Sequence, residues 1–193
     1  MFVAGWQRRA PNAGGSGAQG VDTASPAATD QVTLYFVAGN GLALVERETQ
    51  LPPEEVGDDV PRGRYDPMQR ARLVLERQLA PPPAPLTSPV PEGTGIRAVY
   101  LTTTGDAFID LTGDVSRGHA GGSLDELFTV YALVNALTTN VPEISAVQIL
   151  VEGHEVDTLA GHVDLRHPLA RNMKWVAEPV NGAQFANAST AEE

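Results

Sequence analysis

Residues Ser123 to Asn140 read SLDELFTVYALVNALTTN, and shortly after them Ala146 to Val151 read AVQILV. In the first stretch Leu127, Val130, Tyr131, Val134, Leu137 and Thr138 fall on one face at helical spacing, and Leu124, Phe128 and Leu133 widen that face. Ser123-Leu124-Asp125-Glu126 has the capping-box pattern, in which the serine accepts from an early amide and the glutamate reaches back. Pro142 stops the helix soon after Asn140. Such a helix should lie largely buried across a sheet. The second stretch is almost continuously apolar, which suits a central strand, and Glu152-Gly153-His154 should turn it into a further strand from Val156 to Leu159.

Working outward, Val32 to Val37 alternates like a strand, and Asn40-Gly41 offers a tight turn into a returning strand through Leu42, Leu44 and Glu46. Pro52 to Arg64 is rich in proline, glycine and acid and reads as a surface loop. Asp66-Pro67-Met68-Gln69 predicts a helix start, with Met68, Ala71, Leu75 and Leu79 along one face and Pro81-Pro82-Pro83 as its end. Ile96 to Thr102 and Ala107 to Leu111 predict a hairpin, with Ile109 and Leu111 on one face and Phe108 and Asp110 on the other.

The predicted fold is therefore α+β: one domain, a mixed or antiparallel sheet with two helices packed on it, in the order β-β-α-β-β-α-β-β. A chain of 193 residues with 42% hydrophobic content supports one sizeable core. Residues 1–30 read as a disordered tether, 31–174 as the domain and 175–193 as a flexible tail. Met1 to Arg9 puts an apolar patch before two arginines, which reads either as the remnant of a membrane anchor or as a disordered start.

A net charge of −11, from 24 acidic and 13 basic side chains with no basic cluster, argues against nucleic acid as a partner. With no cysteine there is no disulfide, thiolate metal site or cysteine nucleophile.

Val32 to Phe36, Pro91-Glu92-Gly93-Thr94 with Ile96 and Val99, Ile109-Asp110-Leu111, Gly121-Gly122-Ser123 with Glu126, and Val134 to Thr138 are separated blocks that together resemble the GerMN domain of spore-germination and sporulation-type envelope proteins. Val147 to Gly153, then Thr158 to Leu165 and Pro168-Leu169, resemble the family's ending. The resemblance runs from Gln31 to Met173 and departs from the family in its long proline-rich segment, Ala80 to Pro91, and in the absence of a lipobox cysteine. It implies a non-catalytic module on the extracytoplasmic face of the bacterial envelope. Contact would be with an envelope protein, a cell-wall polymer or further copies of itself, and with the membrane only through an N-terminal anchor.

The residues offer several candidate sites. Gly118, Gly121 and Gly122 precede a helix N-terminus, where free amides can cradle an anion. His119, His154, His162 and His167 with Asp164 are metal-ligand types, but their spacing places them on different elements, and no metal or cofactor is expected. Ser123, His162 and Asp164 are the residues a hydrolase would use, although Ser123 lacks the downstream glycine of a nucleophile elbow and is explained as a cap. Asp106, Asp110, Asp114 and Glu126 invite a paired-carboxylate or calcium reading, and Tyr35, Phe36, Tyr100 and Phe108 an aromatic platform. The binding residues expected are Gly121, Gly122, Ser123, Gly161, His162 and Asp164, with His162 and Asp164 on one face of a strand.

Overall fold

The computed structural model describes residues 31–52, 65–119 and 122–178. Its elements are β1 (Gln31–Val37), β2 (Leu44–Gln50), α1 (Pro67–Leu79), β3 (Ile96–Leu101), β4 (Asp106–Leu111), α2 (Asp114–Arg117), α3 (Ser123–Asn140), β5 (Ala146–Val151), β6 (His154–Glu155) and β7 (Leu169–Ala170), followed by a 3-10 turn at Met173–Trp175. The expected tether, most of the loop before Tyr65, Gly121 and the end of the tail lie outside the described residues.

The fold is α+β, with the strands divided between two sheets. β1 and β2 form an antiparallel ribbon, Val37 opposite Leu44. The larger sheet has the order β3-β4-β5-β6, with β7 also paired to β5. β3 and β4 are an antiparallel hairpin, whereas β4 and β5 are parallel and joined by the crossover through α2 and α3. Ala107, Ile109, Leu111, Val147 and Ile149 are all buried on one face. Helix α3 packs against both sheets and against α1. Because it meets partners on several sides, Phe128, Val130, Leu133, Val134, Ala136 and Leu137 are all fully buried, more than a one-faced surface helix would show.

The division into two sheets has an identifiable cause. The edge of β1 away from β2 is occupied by side chains instead of a strand. Asn140 Oδ1 accepts from Thr33 N–H (2.8 Å) and its amide donates to Thr33 C=O (2.6 Å). Gln78 does the same for Tyr35, at 2.9 and 2.7 Å. Thr87 then exchanges both backbone bonds with Val37. These amides satisfy the buried edge as a ladder would, so β1 cannot join the larger sheet.

Other local differences follow from packing. The first hairpin has a longer loop than Asn40-Gly41 predicts: Ala38 N–H donates to Ala43 C=O, Gly41 takes φ +72°, and Leu42 is exposed, not part of β2. In α1 the buried set is Ala71, Val74, Leu75 and Gln78, with Met68 turned outward. Pro67 lies in the first turn, but Asp66 makes no side-chain cap. Val156 to Leu159 is not a strand; β6 ends at Glu155, and an irregular loop follows. The packed chain also passes the expected boundary at residue 174: Trp175 and Val176 rest on the core, and Ala177 N–H donates to Leu44 C=O (2.7 Å).

Candidate functional site

The capping box does not form. Gly122 is the N-cap of α3, and Ser123 is exposed with no side-chain cap bond. Glu126 is instead fully buried and bonds to a loop outside its own helix. Its Oε1 accepts from Leu159 N–H (2.7 Å) and Ala160 N–H (2.9 Å), and its Oε2 accepts from His162 N–H (2.7 Å). His162 Nδ1 lies 3.1 Å from Oε2 and, facing a carboxylate, acts as the donor. A carboxylate out of water is tolerated only with such compensation. Burial pushes the Glu126 carboxyl up, but the donors on Ala160, His162 and Leu159 together hold it below its ordinary value.

The loop is shaped to deliver those amides. Gly161 adopts φ +99°, a conformation costly for other residues, and its N–H donates to Thr158 Oγ1 (2.9 Å). On the far side Leu165 is buried, its N–H donating to Asp157 C=O, and its carbonyl accepts from the buried Gln148 amide on β5. Residues 157–165 are thus pinned to both α3 and the larger sheet. His162 and Asp164 sit in this irregular loop, not on one face of a strand as the sequence suggests.

Beside the loop lies an open cleft of about 420 Å³. One wall is α3, through Leu127 and Tyr131; the second is His162, Val163 and Asp164. Leu169, Asn172, Lys174 and Trp175 close the third side. That side is also held from α3: the buried Asn135 donates to Asn172 C=O (2.9 Å) and accepts from Asn172 N–H (2.9 Å). Asn172 Oδ1 in turn accepts from Lys174 N–H (3.0 Å), which starts the 3-10 turn. Lys174 Nζ stands 5.2 Å from the centre of the Trp175 ring, within cation–π range.

The structure therefore gathers His162 and Asp164 at one cleft, with Gly161 supplying backbone freedom beside it. Gly122 and Ser123 remain at the helix start, and among the described residues no hydrogen bond joins Ser123 to His162 or Asp164. Asp164 is engaged by Arg166, through Nε (2.9 Å), a terminal nitrogen (2.6 Å) and the backbone N–H (3.1 Å), and this holds its carboxyl well below the usual range. At Gly122 an added Cβ would meet Asp125 Oδ2 at 2.8 Å, so a carboxylate of the chain itself lies against the expected anion cradle.

The other candidates separate. Among the described residues no group of three or more His, Asp or Glu side chains comes together as a metal site. His154 Nδ1 pairs with Glu152 C=O, while His119 lines a larger groove of about 540 Å³, its Nε2 without a partner among the described residues and burial pushing its pKa down. Asp110 holds Arg97 and Gly153 N–H, Asp114 holds Arg117, and Asp106 pairs with Thr104. Tyr35 and Phe36 are both buried; Tyr100 is exposed opposite Phe108.

Sequence reasoning missed Asn135, Tyr131, Lys174 and Trp175 as parts of a site. Asn135 carried a usable signal, since a polar side chain inside so apolar a helix must find a partner. Among the described residues no helix is long and apolar enough to cross a membrane.

Residues 33–157 match the Germane family, described as sporulation and spore germination. The first GerMN domain of the sporulation protein GerM from Bacillus subtilis superposes with a TM-score of 0.56 at 19% identity, covering 73% of this chain and 97% of that one. The structure of the tandem GerMN domains of the same protein gives 0.56 at 19% identity, covering 72% of this chain and 45% of that one. A protein from Clostridium perfringens, titled as a lipoprotein, gives 0.50 at 16%, covering 74% and 88%. At these identities the likeness is one of fold. No curated protein sequence matches the chain.

Proposed function

The chain belongs to the Germane family, and from that premise we propose that it is a non-catalytic binding and assembly module of the cell envelope. It would stand on the extracytoplasmic face of the bacterial membrane and contact an envelope protein or a wall polymer through the cleft beside His162. The observation that carries this reading is the construction of the cleft. Glu126 and Asn135, buried on one helix, spend their hydrogen bonds on fixing two of its walls, which is how a rigid recognition surface is built. The residues a hydrolase would need are not brought together: among the described residues Ser123, exposed at a helix start, bonds neither His162 nor Asp164, and Asp164 is held by Arg166. The envelope placement draws on the family resemblance and on the similar Clostridium perfringens protein, which is described as a lipoprotein.

Fractionation of the native host with a reporter fused to the chain tests the placement; a wholly cytoplasmic protein would count against it. His162→Ala tests the competing hydrolase reading on envelope material. Since Leu159, Ala160 and residue 162 keep their backbone bonds to Glu126, the variant should fold. A folded variant that loses a measurable hydrolytic activity would overturn the non-catalytic assignment.

Self-association is a second reading, favoured by one feature. β3 is the edge of the larger sheet, its outer side carries no strand among the described residues, and Tyr100 is exposed there. It predicts concentration-dependent sedimentation, and a strict monomer at high concentration would remove it for the isolated domain.

A further inference from the structure

The free polar groups around the cleft are almost all donors. Among the described residues Lys174 forms no ion pair, and its ammonium rests over the Trp175 ring. The indole N–H of Trp175, the hydroxyl of Tyr131 and the side-chain NH₂ of Asn172 likewise have no hydrogen-bond partner among the described residues, although all three residues line the cleft. The carboxylate at the rim, Asp164, is neutralised by Arg166. Between these tips lies apolar surface from Leu127, Val163 and Leu169. On a chain of net charge −11, a concave surface whose uncompensated charge is one lysine is selective in itself.

We propose that this cleft binds a saccharide carrying a carboxylate, its sugar rings against Tyr131, Trp175 and the aliphatic residues and its carboxylate on Lys174. The proposal rests on the binding-module reading above and names the ligand class of that site. Aromatic side chains with polar tips suit sugars, which present an apolar ring face and a fringe of hydroxyls. One ammonium, with no arginine among the residues lining the cleft, matches a single carboxylate better than a phosphate dianion. A cationic ligand would meet Lys174 unfavourably.

The test uses the full chain with Trp6→Phe, so that Trp175 is the sole tryptophan reporter. One probe is a tetrasaccharide of alternating N-acetylglucosamine and N-acetylmuramic acid. The second is the tetramer of N-acetylglucosamine, which lacks the carboxylates. A third is hexaglutamate, which offers carboxylates without sugar. The acidic saccharide should change Trp175 emission saturably, and the neutral one should bind at least about tenfold more weakly, as loss of one charged hydrogen bond implies. Lys174→Gln, at an exposed position, should bring the acidic saccharide to the neutral level and leave the neutral one unchanged. No saturable response, equal affinity for the two saccharides, or equally tight hexaglutamate would overturn the proposal. Binding accompanied by cleavage of the tetrasaccharide would support the ligand and defeat the non-catalytic reading. An envelope-located protein that does not bind would defeat the ligand and leave the broader function standing.

Discussion

Replacing Glu126 with glutamine keeps the shape of the side chain and removes the charge on which residues 159–162 depend. The amide oxygen can still accept from Leu159 and Ala160, now as neutral bonds. Its NH₂ group, however, faces His162 N–H, a donor left with nothing to donate to, while the ring can switch tautomer and accept at Nδ1. A hydrogen bond to an ionised group contributes about 1.5–3 kcal/mol, and a buried donor left unsatisfied costs about 1–3 kcal/mol. Because the His162 side chain is 39% exposed, its contact with Glu126 is screened and adds little. Two bonds weakened and one amide orphaned then sum to about 3 kcal/mol, a large share of the roughly 5–15 kcal/mol that holds a domain together. For a domain of this size that is a fall in melting temperature on the order of 10 °C. Urea and thermal unfolding followed by circular dichroism measure it, and amide exchange at residues 159, 160 and 162 should accelerate before the rest of the domain. A loss below about 1 kcal/mol, or unchanged exchange at those three amides, would refute the assignment of Glu126 as the anchor of this wall.

The same carboxylate sets an acid limb. Its folded pKa lies below its ordinary 4.5, so its contribution is fully present above that value and is lost as pH falls through the lower folded one. Stability of Glu126→Gln should therefore fall off less steeply than that of the parent below about pH 4.5, and parallel acid limbs would contradict this. Asn140→Leu strips both bonds from Thr33 at the buried edge of β1, and a destabilisation of about 2–4 kcal/mol is expected in urea melts, with less than 1 kcal/mol counting against the edge-closing role. Gly161→Ala meets open space but forces φ +99° on an alanine, so about 1–2 kcal/mol should be lost through backbone strain alone, and a neutral result would mean the loop relaxes.

Much of the scaffold was legible along the chain because its signals are local. The helical spacing in Ser123–Asn140, the apolar run Ala146–Val151 and the β3–β4 hairpin each report a short-range preference, and each element stands where that pattern places it. Other residues fitted a local rule and were used differently. Ser123 and Glu126 satisfy the capping-box spacing, but with donors of residues 159–162 available, the glutamate gains more from three amides in a buried site than from one at an exposed helix end.

The sequence by itself thus determined the two long helices, the main strands and the α+β class, since periodicity and turn chemistry act over a few residues, but not the short elements α2, β6 and β7. Only the tertiary structure decided the site and the division into two sheets. Those depend on Gln78, Glu126, Asn135 and Asn140, polar side chains on the buried faces of helices whose partners lie 33 to 107 residues away. A pattern can show that such a residue needs a hydrogen-bond partner, but which backbone supplies it is fixed only when the chain is packed.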